Sequence, residues 1–226
     1  MPGISTVFVV VFDVASRTVG DGSHWYVAVA VLPFLLPLMF QIAFGLNAFQ
    51  SGLYLLALFA GDLSMKAFVI QALRRFGFRR ILIVNGTMTA VSMALCALLS
   101  PATATIVVVA ILFVHGALRS MQFTAMTTLA YAEISPERMS RANGFLSAVM
   151  QLSMGMGVAI GAVTLRLVAH ARGHSASAPQ LRDFHLAILF ISMLALGPVF
   201  DSLGLSPEAG AATSGHRLPE LEVNPA

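Results

Sequence analysis

The sequence predicts an all-α membrane protein, a bundle of six transmembrane helices, on three observations. The chain of 226 residues is 58% hydrophobic and only 10% charged, where soluble domains carry about one-quarter charged residues. Its mean hydropathy is +0.85, and 13 Lys and Arg with 10 Asp and Glu are too few to cover a soluble surface. Six stretches each approach the ~20 mostly apolar residues that one bilayer crossing needs. The links between them are short, which makes successive helices antiparallel neighbours.

The elements follow in order. Residues 1–24 include ISTVFVVVFDVA, an apolar run too short to cross, interrupted by Asp13 and followed by Arg17. It lacks the basic start and small-residue cleavage site of a signal peptide, so it reads as an interfacial or poorly ordered segment. Span one, 25–44, contains Pro33 and Pro37, which kink a helix and free carbonyls that need other partners. Span two is 52–73, span three 81–99, span four 105–131, span five 144–168 and span six 184–204. Between them lie LNAFQSG, the basic run RRFGFRR, SPATA, EISPERMSRAN and the longer polar link HARGHSASAPQLRD. The tail, 205–226, is rich in Pro, Gly and small residues and reads as disordered and cytoplasmic.

Orientation follows from arginine placement, because short cytoplasmic links collect Lys and Arg. The second link carries Arg74, Arg75, Arg79 and Arg80, the fourth carries Arg138 and Arg141, and the first and third carry none. Both termini are therefore expected in the cytoplasm, with the chain crossing a bacterial-type inner membrane. Arg172 and Arg182, in the fifth link, run against this pattern.

A charge at the bilayer centre costs at least ~2.5–3.5 kcal/mol on insertion scales, so the polar residues within the spans are informative. His115, Arg119 and Gln122 are spaced i, i+4, i+7 on one face of span four. Asp62 and Lys66, four apart in span two, form a candidate charge pair that lowers the burial cost of both. Span one contributes Gln41 and span five Gln151, whereas spans three and six offer only weakly polar groups such as Asn85, Thr87, Cys96 and Ser192. Spans one, two, four and five are thus expected to line a wet cavity, with Gln41, Arg119, Gln122 and Gln151 along the substrate pathway. Spans three and six are expected to brace the outside. Asp62, Lys66 and His115 are the candidates for proton exchange or charge pairing. For each of these groups a packing role, a hydrogen bond between helices, stands as the alternative; His115 reads equally as a satisfied core histidine.

In span five, Ser153, Gly157 and Gly161 recur every four residues, a close-approach face for another helix. Pyrophosphate-type glycine loops ending in Lys-Ser or Lys-Thr, HExxH and Gly-x-Ser-x-Gly are all absent, so an enzyme is excluded. The single Cys96 and the scattered six histidines give no metal site and no disulfide, and no cofactor is expected. With a net charge of +3 grouped at links, nucleic acid is not an expected partner.

Three segments, PFLLPLMFQIAFGLNAFQSG at 33–52, MKAFVIQALRRFGFRRILIVNG at 65–86 and LRSMQFTAMTTLAYAEISPERMSRANGF at 118–145, resemble the C-terminal half of a major facilitator superfamily transporter. They are similar to the fourteen-span drug:proton antiporter branch. The resemblance implies one half of the facilitator fold, with the first, second, fourth and fifth helices of that half lining the cavity. RRFGFRR is similar to the second-half copy of the family's cytoplasmic loop motif: Arg75, Gly77 and Arg79 fit, while Ile70 stands at its leading glycine and Arg74 at its acidic position. Read from the residues alone, the arginines meet anionic headgroups and fix orientation.

The expected function is therefore the C-terminal half, truncated, of a proton-coupled multidrug or small-molecule efflux transporter. Its partners would be the lipid bilayer, a small-molecule substrate and protons once it pairs with another half, or with a second copy in a homodimer. The alternative expectation is a non-transporting membrane interaction module.

Overall fold

The computed structural model describes residues 23–132, 139–175 and 178–204; the expectations for residues 1–22 and 205–226 lie outside them. The described residues are helical over most of each expected span. In order they are α1 (Ser23–Leu38), continued by a π-helical turn (Met39–Ala43), α2 (Ala48–Met65), α3 (Val69–Phe76), α4 (Phe78–Cys96), α5 (Thr105–Ala132), α6 (Met139–Ala171), α7 (Leu181–Leu194) and α8 (Gly197–Leu203).

Local chemistry accounts for the boundaries. Pro33 and Pro37 lie inside α1, and each lacks the N–H that would close a helical turn. The π turn follows directly, with Phe44 N–H bonded to Met39 O at 3.1 Å, and Gly45 at φ 71° ends it. Asn47 then caps α2 through a reciprocal box with Gln50, satisfying two amide donors that a helix start leaves open. α6 ends in a Schellman motif on Gly173 at φ 76°: His174 N–H reaches Ala169 O at 2.8 Å and Gly173 N–H reaches His170 O at 3.0 Å, the two bonds that define that cap.

Span two departs from expectation, because it is not one straight helix. α2 ends at Met65, and α3 leaves it at 55°. The basic link is correspondingly tighter than expected. Arg74 and Arg75 form the last turn of α3, Arg79 and Arg80 the first turn of α4, and Gly77 alone joins them. Its φ of 73° and ψ of 163° belong to a region that is essentially closed to residues with a Cβ. By length and composition α5 and α6 are each long and apolar enough to cross a membrane, as is the bent α2–α3 pair if it counts as one span.

Two close helix pairs build the bundle. α2 lies on α5 and α1 lies on α6, while α4 packs against α5, α7 and α8. In the first pair, a Cβ on Gly61 would overlap the Phe113 carbonyl and one on Gly116 would overlap the Leu58 carbonyl, so the two backbones touch. In the second pair, a Cβ on Gly157 would overlap the Val27 carbonyl and one on Gly161 would come to 2.9 Å from Val31 Cγ1. The Ser153, Gly157, Gly161 face does face another helix, and Ser153 is fully buried. Without hydrophobic driving force between helices in lipid, such close approach is how they gain packing energy.

The core joins α1, α4 and α7 through Leu32, Leu35, Leu36, Met93, Phe184, Ile188 and Ile191. The opposite face of α4 exposes Val84, Met88, Val91 and Leu95, a single stripe at helical spacing, and α7 exposes Leu186, Phe190 and Met193. Apolar outer faces are not confined to spans three and six, however: α2 exposes Leu53, Leu56, Phe59 and Leu63 and buries only Ser51, Leu58 and Gly61, so the expected division into lining and bracing helices does not appear in burial.

The glycine contacts make a testable contrast. Gly61→Ala or Gly116→Ala is expected to lower the stability of the detergent-solubilised chain by about 1–3 kcal/mol, the usual range for overpacking. Gly155→Ala meets no atom within 4 Å and is expected to be neutral or stabilising, since Ala is the better helix former. Thermal melts followed by helical circular dichroism distinguish the two.

Candidate functional site

Where the glycine contact brings α2 and α5 together, the residue after Gly61 and the residue one turn beyond His115 meet. Arg119 Nη2 donates to Asp62 Oδ2 at 3.0 Å, with the two side chains 15% and 24% exposed. Each charge is a costly occupant of an apolar helix alone; together, largely withdrawn from solvent, they cancel at short range. Asp62 therefore takes its partner from α5 and not from its own helix. The expected Asp62–Lys66 pair is not formed: α2 stops at Met65, and the Lys66 N–H turns back to Leu63 O at 3.3 Å. Lys66 lies exposed on the break, outside the regular i, i+4 geometry on which that expectation relied.

Gln122 also departs from expectation. It is 0% exposed and turned toward α4, where its Nε2 donates to Leu82 O at 3.2 Å and its Oε1 accepts from Asn85 Nδ2 at 2.9 Å. The same Asn85 amide donates to Leu118 O at 2.9 Å. Room for the amide comes from Gly86, where a Cβ would come to 3.2 Å from Gln122 Nε2. His115 follows the same pattern and is 1% exposed, with Nδ1 2.8 Å from Ser92 Oγ. Ser92 commits its one hydroxyl proton to Thr89 O at 2.7 Å, so the imidazole Nδ1–H is the donor in the His115 contact. Gln122 and His115 thus tie α5 to α4 in a buried polar seam, and neither lines an open pathway. Asn85, read from sequence as weakly polar, is the hub of that seam; its mid-span position beside Gly86 was the available signal.

Gln41 and Gln151 are both exposed, Gln41 within the π turn and Gln151 on α6. Val29, Phe123, Met126 and Met150 pack where α1, α5 and α6 meet, close in sequence to Arg119 and Gln151. Arg79 donates from Nη2 to Leu203 O at 3.2 Å, a cation on the last carbonyls of α8. On the opposite end, Asp183 is fully buried and accepts from Gln180 N at 2.7 Å, while His174 Nδ1 lies 2.9 Å and Arg172 Nη1 3.3 Å from its oxygens. Arg172, which ran against the arginine pattern, is therefore neutralised locally. No group of three or more His, Cys, Asp or Glu that could hold a metal ion occurs among the described residues.

The two glycine-locked helices thus hold a largely withdrawn acid–base pair between them. The model of the Major Facilitator Superfamily matches residues 22–158, from α1 through the middle of α6. The chain belongs to the major facilitator superfamily. As a superfamily member it is a multi-pass membrane protein of a transporter family, not an enzyme.

Similar proteins carry the name multidrug resistance protein MdtD. That of Escherichia coli O6:H1 is 36% identical over 141 residues, 61% of this chain and 29% of the relative. That of Yersinia enterocolitica is 34% identical over 140 residues, 62% of this chain and 30% of the relative. That of Yersinia pestis strain Pestoides F is 30% identical over 185 residues, 80% of this chain and 39% of the relative. The chain thus spans well under half the length of these relatives. No solved structure matches it significantly.

Two double-mutant cycles separate the ion pair from the seam. Asp62→Asn and Arg119→Gln are each expected to destabilise the chain, with a coupling of about 1–3 kcal/mol between them, because either alone strands its partner's charge. Asn85→Leu and Gln122→Leu should each cost about 1–3 kcal/mol by leaving buried polar atoms unpaired, and the double variant should recover part of that loss. Melting temperatures of the four single and two double variants give both couplings.

Proposed function

We propose that this chain forms the C-terminal six-helix half of a proton-coupled exporter of multiple drugs or small molecules, seated in a bacterial inner membrane with both ends cytoplasmic. The Asp62–Arg119 pair carries this reading. A proton from water entering the exposed side of the pair neutralises Asp62 and leaves Arg119 without a counter-charge. The guanidinium is then free to pair with a carboxylate of the other half. Loss of the proton restores the pair and releases whatever Arg119 held. Protonation of Asp62 thus switches the partner of Arg119, which couples proton binding to the arrangement of the two halves.

Gln41 and Gln151 would line the substrate path with Arg119, while α4 and α7 face lipid. Gln122 and His115 have no place on that path in this reading; they hold α5 to α4 while α2 and α5 carry the exchange. Alternating access in this fold rocks one half against the other around a midplane site, so transport needs a second half. The names of the relatives support drugs as the substrate class, and their greater length supports a missing half.

Proteoliposomes carrying the chain, alone or co-expressed with the part of the Escherichia coli O6:H1 relative that the match leaves uncovered, test this. Dye efflux driven by a pH gradient is expected only from the paired preparation, with Asp62→Asn and Arg119→Ala each lowering its rate at least tenfold. Paired efflux that ignores both substitutions would remove the ion pair from the mechanism.

A further inference from the structure

The basic link between α3 and α4 takes no part in the exchange proposed for Asp62 and Arg119. α3 diverges by 55° from α2 and buries only Val69 and Leu73, in a small cluster with Phe78, Ile81, Leu82 and Ala125. Its other side is turned outward: Phe68 is 58%, Ile70 62% and Phe76 45% exposed. The Arg75 guanidinium lies 5.6 Å and the Arg80 guanidinium 5.8 Å from the centroid of the Phe76 ring. One exposed aromatic ring thus holds two arginines, one from each side of the Gly77 link.

The stretch of sequence that carries this ring has charge of one sign. Lys66, Arg74, Arg75, Arg79 and Arg80 fall within this stretch, and the sequence has no Asp or Glu from Leu63 to Ala132. Arg79 is engaged with Leu203 O. Among the described residues Arg75 and Arg80 have ring contacts only, and neither makes an ion pair.

We propose that Arg75, Phe76 and Arg80 form a binding site for the phosphate of an anionic phospholipid, with Phe68 and Ile70 in contact with its acyl chains. Guanidinium groups present planar forks that match phosphate oxygens. Stacking on Phe76 holds both in place before the lipid arrives, which reduces the ordering cost of binding. A short helix with arginines beside exposed apolar side chains is also the pattern of a segment lying at the headgroup boundary. A zwitterionic lipid carries its own ammonium next to the phosphate, so two arginines without an ion pair among the described residues favour a net anionic headgroup.

Native mass spectrometry of the full-length chain in detergent, with added phosphatidylglycerol or phosphatidylcholine, reads the site without any transport assay. At least fivefold greater retention of phosphatidylglycerol is expected, together with a higher melting temperature in its presence. Arg75→Gln/Arg80→Gln should bring the preference within twofold while helicity is unchanged, and Phe76→Ala should weaken it. Arg182→Gln, at the opposite end of the bundle, should leave it intact. A preference that survives the double substitution, or inorganic phosphate displacing the lipid at equal concentration, would overturn the proposal. A preference lost equally in Arg182→Gln would overturn it too, by showing a response to total charge alone.

Discussion

Charge inside an apolar helix must find an opposite charge, and in this chain that requirement selects which helices touch. Asp62 and Arg119 come from α2 and α5, and the glycine beside Asp62 lets the two backbones approach until the carboxylate and guanidinium meet at 3.0 Å. A side chain on Gly61 or Gly116 would push the helices apart and strand both charges. Packing and electrostatics are therefore one device: the glycines set the distance, and the ion pair makes that distance worth keeping.

The remaining polar groups divide by burial. The Asn85–Gln122 amide pair and the Ser92–His115 contact sit in the sealed α4–α5 seam, where water cannot compete and where an unpaired donor would be costly. Such bonds fix the register of two helices and do not move protons or ligands. Asp62 and Arg119 keep part of their surface open, and Gln41 and Gln151 keep most of theirs. Only groups with that access can exchange partners during a working cycle. The division gives α5 two polar faces, a sealed seam against α4 and a partly open ion pair against α2.

Much of this was legible in the sequence. Apolar length and composition predicted the helices, the Ser153, Gly157, Gly161 spacing predicted a close face, and the absence of catalytic motifs agreed with membership of a transporter family. The misreadings share a cause. Spacing along one helix shows which residues share a face but not which neighbour that face meets. Gln122 and His115 do lie near Arg119, yet the neighbour on their side is α4, whose Leu82, Asn85 and Ser92 take them up. The Asp62–Lys66 spacing assumed that α2 continues past Met65, and no glycine or proline in the sequence marks the break there. Gly61 and Gly116 escaped notice because each is a lone glycine; their meaning lies in the pairing across helices. The resemblance on 33–52, 65–86 and 118–145 identified the fold family correctly, while residues within those segments still had to be placed one by one.

The distance between the Arg119 guanidinium and the Asp62 carboxyl is the quantity on which the interior arrangement turns. Solid-state NMR dipolar recoupling, on the chain in bilayers with ¹⁵N-labelled arginine and lysine and ¹³C-labelled aspartate, measures it directly. The expected result is a strong Arg119–Asp62 coupling, consistent with the 3.0 Å contact, and none between Lys66 and Asp62. An Asp62 carboxyl coupled to Lys66, or to no cationic nitrogen at all, would contradict it.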